Sequence, residues 1–186
     1  YEQTFDQLKA SATLFLDLYI DAIKNSYDII DASAFNIQFN NSNPIFIDLG
    51  SFIDLKEGSK INWYKQFCEN YLAPLLIKSK VKINFNDIYK GDIEGINLKL
   101  ASKILPLSSW FNFSILLNIH LQSYLNSRIS SSTKKKMKTK KSLSTKQKIL
   151  IASNLKKMIL KLNSSKNSYW SNYSKINSYN DETLNK

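Results

Sequence analysis

Three polar side chains early in the chain could act together: Asp31, Asn36 and Asp48, in "DASAFNIQFNNSNPIFIDLGSF". A phosphoryl-transfer site needs a carboxylate to take the proton from the attacking hydroxyl and two further ligands to hold a metal ion on the phosphates. An acid, an Asn five residues on and an acid ending the next apolar run supply those parts on one short loop. On this spacing Asp31 takes the catalytic base position, and Asn36 and Asp48 take the metal positions. The same residue types have a plainer use. Asp and Asn cap turns by accepting backbone amides, and an Asp can merely end a strand. Both uses remain open at this point.

Such a loop has to be held between a helix and a hairpin, and the flanking sequence offers both. Residues 5–25 place Leu8, Ala12, Phe15, Tyr19 and Ile23 on one face at helical spacing. "IQF" and "IFI" flank the polar cluster "NNSNP", which predicts two short strands and a turn. "WYKQFCENYLAPLLI" turns Trp63, Phe67, Tyr71, Leu72, Leu75 and Leu76 toward a core, with a bend or restart at Pro74. "DIEGINLKLASKIL" predicts a shorter helix ending at Pro106. "SSWFNFSILLNIHLQSYL" predicts another, with Ser108 and Ser109 as N-caps and an end near Leu125. The predicted class is mostly α with a small β-hairpin (α+β). Helices 5–25, 62–77 and 109–126 are expected to share one core, with the hairpin 36–48 at its edge.

Two residues with chemical potential read as structural. His120 is the one histidine, and nothing nearby completes a metal cluster, so a packed or partly exposed helical histidine is expected. Cys68 is the one cysteine, which excludes an internal disulfide and fits a reducing cytosol; its neighbours predict a buried apolar thiol.

The net charge of +11 is unevenly spread. Residues 1–130 hold 12 Lys plus Arg against 13 Asp plus Glu, whereas residues 131–186 hold 14 Lys against 2 acids. The body is neutral and the tail is basic. Six of those lysines fall between 134 and 141 among Ser and Thr, which reads as an exposed linker. Aromatics do not interleave with that run as single-strand binders require, so nucleic acid is not the expected partner. "TKQKILIASNLKKMILKL" returns to helical order, with Ile149, Ala152, Leu155, Ile159 and Leu162 as the apolar stripe and lysines opposite. No long apolar stretch predicts a membrane span, and a cytoplasmic location is expected. The first residue is Tyr1, and the chain is expected to be a piece of a longer polypeptide.

Several blocks carry a resemblance. "DASAFNIQF" with "NPIFIDLGSF", then "WYKQFCENYLAPLL", then "YWSNYSKINSYNDETLNK" resemble, in that order, the region ahead of the methyltransferase domain in bacterial class I S-adenosylmethionine-dependent methyltransferases of the nodulation-protein-related group. The loop itself is similar to the catalytic loop of kinase-like folds of the aminoglycoside-phosphotransferase sort, so the helical C-terminal lobe of such a fold is the implied architecture. Two departures stand out: the group's Lys before the loop Asp is Ile30 here, and Leu49-Gly50 follows Asp48 in place of a different pair.

The resemblance implies residues 1–128 as a kinase-like helical domain, 129–143 as the Lys-rich linker, and 144–186 as a helix and connector toward a methyltransferase domain downstream. It implies S-adenosylmethionine for the parent protein and no cofactor site in this chain, whose four glycines contain no Gly-x-Gly. The expected role is an accessory domain that positions or recognises an acceptor. The alternative is a small-molecule kinase truncated at its N-terminus and using Mg-ATP, since no glycine-rich flap or strand lysine precedes Asp31. A third reading has the Lys-rich tail binding nucleic acid or anionic surfaces.

Overall fold

The structure is a computed structural model that describes residues 3–81, 95–131 and 142–164. The Lys-rich run 134–141 and the block 169–186 lie outside the described residues. The architecture is mostly helical with two small antiparallel sheets. Among the described residues no helix is long and apolar enough to cross a membrane.

Helix α1, Phe5–Lys24, starts in a capping box. Thr4 Oγ1 accepts the Gln7 amide at 3.2 Å and Gln7 Oε1 accepts the Thr4 amide at 2.9 Å, so two otherwise orphaned donors are satisfied. Its expected stripe, Leu8 to Ile23, is buried. Strand β1, Tyr27–Ile29, then pairs with β4, Phe52–Asp54, while β2, Ile37–Asn40, and β3, Asn43–Phe46, form the expected hairpin. Asn41 turns that hairpin at φ 55°, a conformation that Asn tolerates better than most residues. The β1–β4 sheet is an addition to the sequence reading.

Helix α2, Tyr64–Phe67, widens into a π-helical turn at Cys68–Leu72 and continues as α3, Ala73–Lys80. Pro74 explains this restart. The Ala73 amide bonds to the Cys68 carbonyl, and Pro74, next in line for Glu69, has no N–H to give. The Glu69 carbonyl takes the amide of Ile96 instead, at 2.9 Å. That crossing brings Gly95 so close that a Cβ there would stand 2.8 Å from the Glu69 oxygen, and its φ of +103° suits glycine alone.

Helix α4, Leu98–Ile104, precedes a 3₁₀ turn at Leu107–Phe111. Helices α5, Phe113–Ile115, and α6, Gln122–Ser131, flank a second π-helical turn, Leu116–Leu121. The cap of this segment differs from the one expected. Asn112 accepts the Ile115 amide, while Ser108 and Ser109 lie in the 3₁₀ turn and the Ser109 hydroxyl is taken by His120 Nε2 at 2.8 Å.

His120 is the packed histidine that was expected. It is buried, bonded through Nδ1 to the Ser102 hydroxyl at 2.8 Å, and stacked on Trp110 with ring centroids 4.1 Å apart. Desolvation holds its pKa below the ordinary histidine value. The unfolded chain therefore binds a proton more readily than the fold does. The stability this contributes is complete above the unfolded value near 6.5 and declines as pH falls through the folded one. Urea midpoints should drop between pH 7.5 and pH 5, and a His120→Gln variant should lose part of that drop.

The last helix, α7, Thr145–Leu160, opens with a capping box of Ser144 and Gln147. It packs along α1 within the same core: Lys156 Nζ meets Asp17 at 2.5 Å, and Lys9 Nζ bonds the carbonyls of Leu160 and Leu162 at the end of α7. Ala152, Leu155, Ile159 and Leu162 are buried as expected, but not every lysine lies opposite them. Lys148 is buried in the stripe and pairs with Asp28 of β1 at 2.7 Å. The ion pair explains the departure, since a lysine can enter an apolar face only where an anion meets it.

Candidate functional site: the Asp31 loop and its hairpin

The loop starts where β1 ends. The Ile30 amide bonds the Ser51 carbonyl at 3.1 Å, which fixes the entry to Asp31 beside the exit from the hairpin. Asp31 Oδ1 accepts the Ser33 amide at 2.8 Å, a turn of the kind Asp forms readily. Ser33 then caps the 3₁₀ turn Ala34–Asn36, its hydroxyl accepting the Phe35 amide. Hairpin register sets Ile37 opposite Phe46, and the Ile47 amide reaches the Asn36 carbonyl at 2.9 Å. Asn36 and Asp48 are thereby brought face to face.

Their side chains bond: Asn36 Nδ2 donates to Asp48 Oδ2 at 3.2 Å. The Ser51 hydroxyl donates to the same oxygen, and the Gly50 amide donates to Oδ1 at 3.1 Å. A carboxylate has about four acceptor sites, so three donors leave Asp48 one free site, on Oδ1. A Cβ at Gly50 would sit 3.3 Å from that oxygen, so glycine keeps the approach open. The structure thus unites two of the three expected residues. Asp31 stands on the turn before them with its carboxylate engaged by Ser33. Among the described residues no three His, Cys, Asp or Glu side chains gather to hold a metal ion.

Gln66, Asn70 and Tyr71 complete the site and were not singled out for it from the sequence. Gln66 Oε1 accepts the Ala32 amide at 2.8 Å, Asn70 Oδ1 accepts the Ala34 amide at 3.2 Å, and the Tyr71 hydroxyl donates to the Ser33 carbonyl at 3.2 Å. The detectable signal was a pair of carboxamides four residues apart on a helix that otherwise turns Trp63, Phe67 and Tyr71 inward. Each side chain satisfies a loop backbone group that burial would otherwise leave without water. Cys68, on the same helix, plays no part in the loop, and burial pushes its thiol pKa up, away from reactivity.

A cleft of about 460 Å³ opens between this helix and the loop. Ser33 and Phe35 line one wall; Asn62, Lys65, Gln66, Glu69 and Asn70 line the other. Asp31, Asn36 and Asp48 lie outside that lining. Most of the lining side chains can donate or accept hydrogen bonds, and Phe35 adds a half-exposed aromatic face. This suits recognition of a polar group, and the carboxylate–amide pair braces the loop that forms one wall.

No family model matches the chain, and no solved structure does. A curated protein does: over 134 residues the chain is 37% identical to "Nodulation protein NoeA" of Rhizobium meliloti (strain 1021). The match takes in 72% of this chain and 28% of that protein, so the chain spans little more than a quarter of its relative's length.

Proposed function

We propose that this chain, related to a nodulation protein over most of its length, is a kinase-like accessory domain of a class I S-adenosylmethionine-dependent methyltransferase-type protein. It recognises or positions the acceptor and leaves the chemistry to a domain downstream. The observation that carries this reading is the use made of Asp48. Three internal donors already occupy its oxygens, so a metal ion taking more than the one free site would displace Asn36, Ser51 or the Gly50 amide. The loop that a phosphotransferase would spend on metal and phosphate is spent here on shaping the wall of a polar cleft. S-adenosylmethionine finds no Gly-x-Gly strand among these residues. In this account it belongs to the downstream domain.

Lys65→Ala in the full-length polypeptide tests the role, because Lys65 lines the cleft. Its side chain is exposed and the loop is held by Gln66, Asn70 and Tyr71, so the wall survives while a cation is removed from it. S-adenosylmethionine affinity is expected to stay at the wild-type value, while transfer of labelled methyl groups to the producing cell's acceptor fraction falls about tenfold, the effect of losing roughly 1.4 kcal/mol of acceptor interaction. Unchanged transfer would remove this cleft from acceptor recognition.

The second reading is a small-molecule kinase truncated at its N-terminus. The Asn36–Asp48 convergence favours it, because the two metal positions of a phosphoryl-transfer loop do meet. Mg-ATP would be its cofactor, and the free Oδ1 site of Asp48 is where the metal would bind.

A further inference from the structure

A second cleft, of about 850 Å³, lies between the α5–α6 segment and α7 and, among the described residues, shares no lining with the cleft beside the Asp31 loop. Its volume falls in the range of small-molecule sites, about 300–1,000 Å³. Its apolar lining includes Leu76, Ile115, Ile151, Leu155 and Met158, contributed by three separate helices. Its charge is one-sided. Among the described residues Lys60, Lys80, Lys157 and Lys161 line it, and no Asp or Glu does. None of the four pairs with a carboxylate among the described residues.

Lys157, in the last turn of α7, and Lys161, its C-cap, stand four residues apart, and their like charges repel. An anion between them would relieve that repulsion. At the other side, Leu76 and Lys80 stand one turn apart on α3, an apolar side chain followed by a cation. The polar part of the lining is fixed: the Tyr64 hydroxyl donates to Asn118 Oδ1, and Asn118 Nδ2 donates to the Ser114 carbonyl at 2.7 Å. Asn118 belongs to the π-helical turn Leu116–Leu121, a local widening that is frequent where helices form functional sites.

We propose that this cleft binds an amphipathic anion, an alkyl body with a carboxylate or phosphate head. The body lies on the apolar lining and the head is held by the lysines. Four cations with no carboxylate partner among the described residues, set beside apolar surface, reject a cationic amphiphile and gain little from a neutral one. Lysine ammoniums act as point charges and accept either head group, whereas flat two-point recognition would call for arginine.

Titration calorimetry on the whole chain, below micelle-forming concentrations, tests this with laurate, dodecyl phosphate, dodecyltrimethylammonium and inorganic phosphate. One or both alkyl anions should saturate a single site at least tenfold more tightly than the alkyl cation, and inorganic phosphate alone should not saturate it. Comparing laurate with dodecyl phosphate identifies the head group. Lys157→Glu with Lys161→Glu, both exposed, should weaken anion binding at least tenfold without moving the urea midpoint, and Met158→Trp should block the cleft. Equal binding of cation and anion, no saturable anion binding, or indifference to the charge reversal would overturn the proposal. So would self-association abolished by Met158→Trp, which would assign the cleft to a second copy.

Discussion

Asp28→Ala is expected to destabilise the fold by about 3–5 kcal/mol, the loss seen when one partner of a buried ion pair is removed. The side chains of Lys148 and Asp28 are 1% and 5% exposed, and their charged atoms are 2.7 Å apart. The Ser59 hydroxyl bonds Lys148 Nζ at 2.6 Å, and Asp28 Oδ1 accepts the Ile29 amide at 3.0 Å, so the pair sits in a small closed network. Alanine at 28 would leave a buried ammonium with one neutral partner. A domain of this kind is stable by about 5–15 kcal/mol, so the loss is a large share of the total. Asp28→Leu combined with Lys148→Met should recover most of it, because an apolar pair of similar size needs no desolvation. Urea unfolding followed by circular dichroism measures both. A loss below about 1 kcal/mol for the single variant, the range of a surface pair, would show that the network is open to water.

The pair also explains how α7 is held. Its apolar stripe could dock on α1 in neighbouring registers, but Lys148 finds its carboxylate only where β1 presents it. The same substitution should therefore loosen α7 first, seen as earlier amide exchange in 145–160 than in α1.

Phe15→Ala is expected to cost about 3–5 kcal/mol as well, by a different route. Phe15 is fully buried at the centre of a ring cluster, 5.2 Å from Trp63 in an edge-on contact, 5.6 Å from Phe67 and 6.4 Å from Tyr71. Three rings of the facing helical segment close around it, so little can move in to fill the space. Trp63, Phe67 and Tyr71 share their helix with Gln66 and Asn70, the side chains that hold the Asp31 loop. Lost packing at Phe15 should therefore reach the loop. Thermal unfolding should show the loss, with Phe15→Leu much milder. A shift of only a degree or two for alanine would mean that the cluster repacks.

The sequence announced those parts whose cause is local. The α1 stripe shows because five apolar residues repeat at helical spacing, and the hairpin shows because a polar cluster separates two apolar runs. Asn36 and Asp48 could be paired from spacing alone, since a two-residue turn at Asn41–Ser42 brings the two strand ends together. The β1–β4 sheet stayed hidden because three-residue strands are too short to display alternation. Lys148 read as a solvent-facing charge because its partner lies 120 residues away in the chain. Gln66 and Asn70 were missed for the same reason: their loop partners belong to a distant element. Pro74 marked the break in its helix, but the π-helical turn there depends on hydrogen bonds that composition does not reveal.

The central claim is that the outline of a phosphoryl-transfer loop serves here to shape a recognition site. Titration calorimetry of the chain with Mg-ATP tests it most directly. With Asp48 accepting from Asn36, Ser51 and Gly50, and one carboxylate site left for a cation that prefers near-ideal octahedral coordination, no saturable binding is expected in the micromolar range. Micromolar binding that Asp48→Ala abolishes would contradict the account, and the kinase reading would take its place.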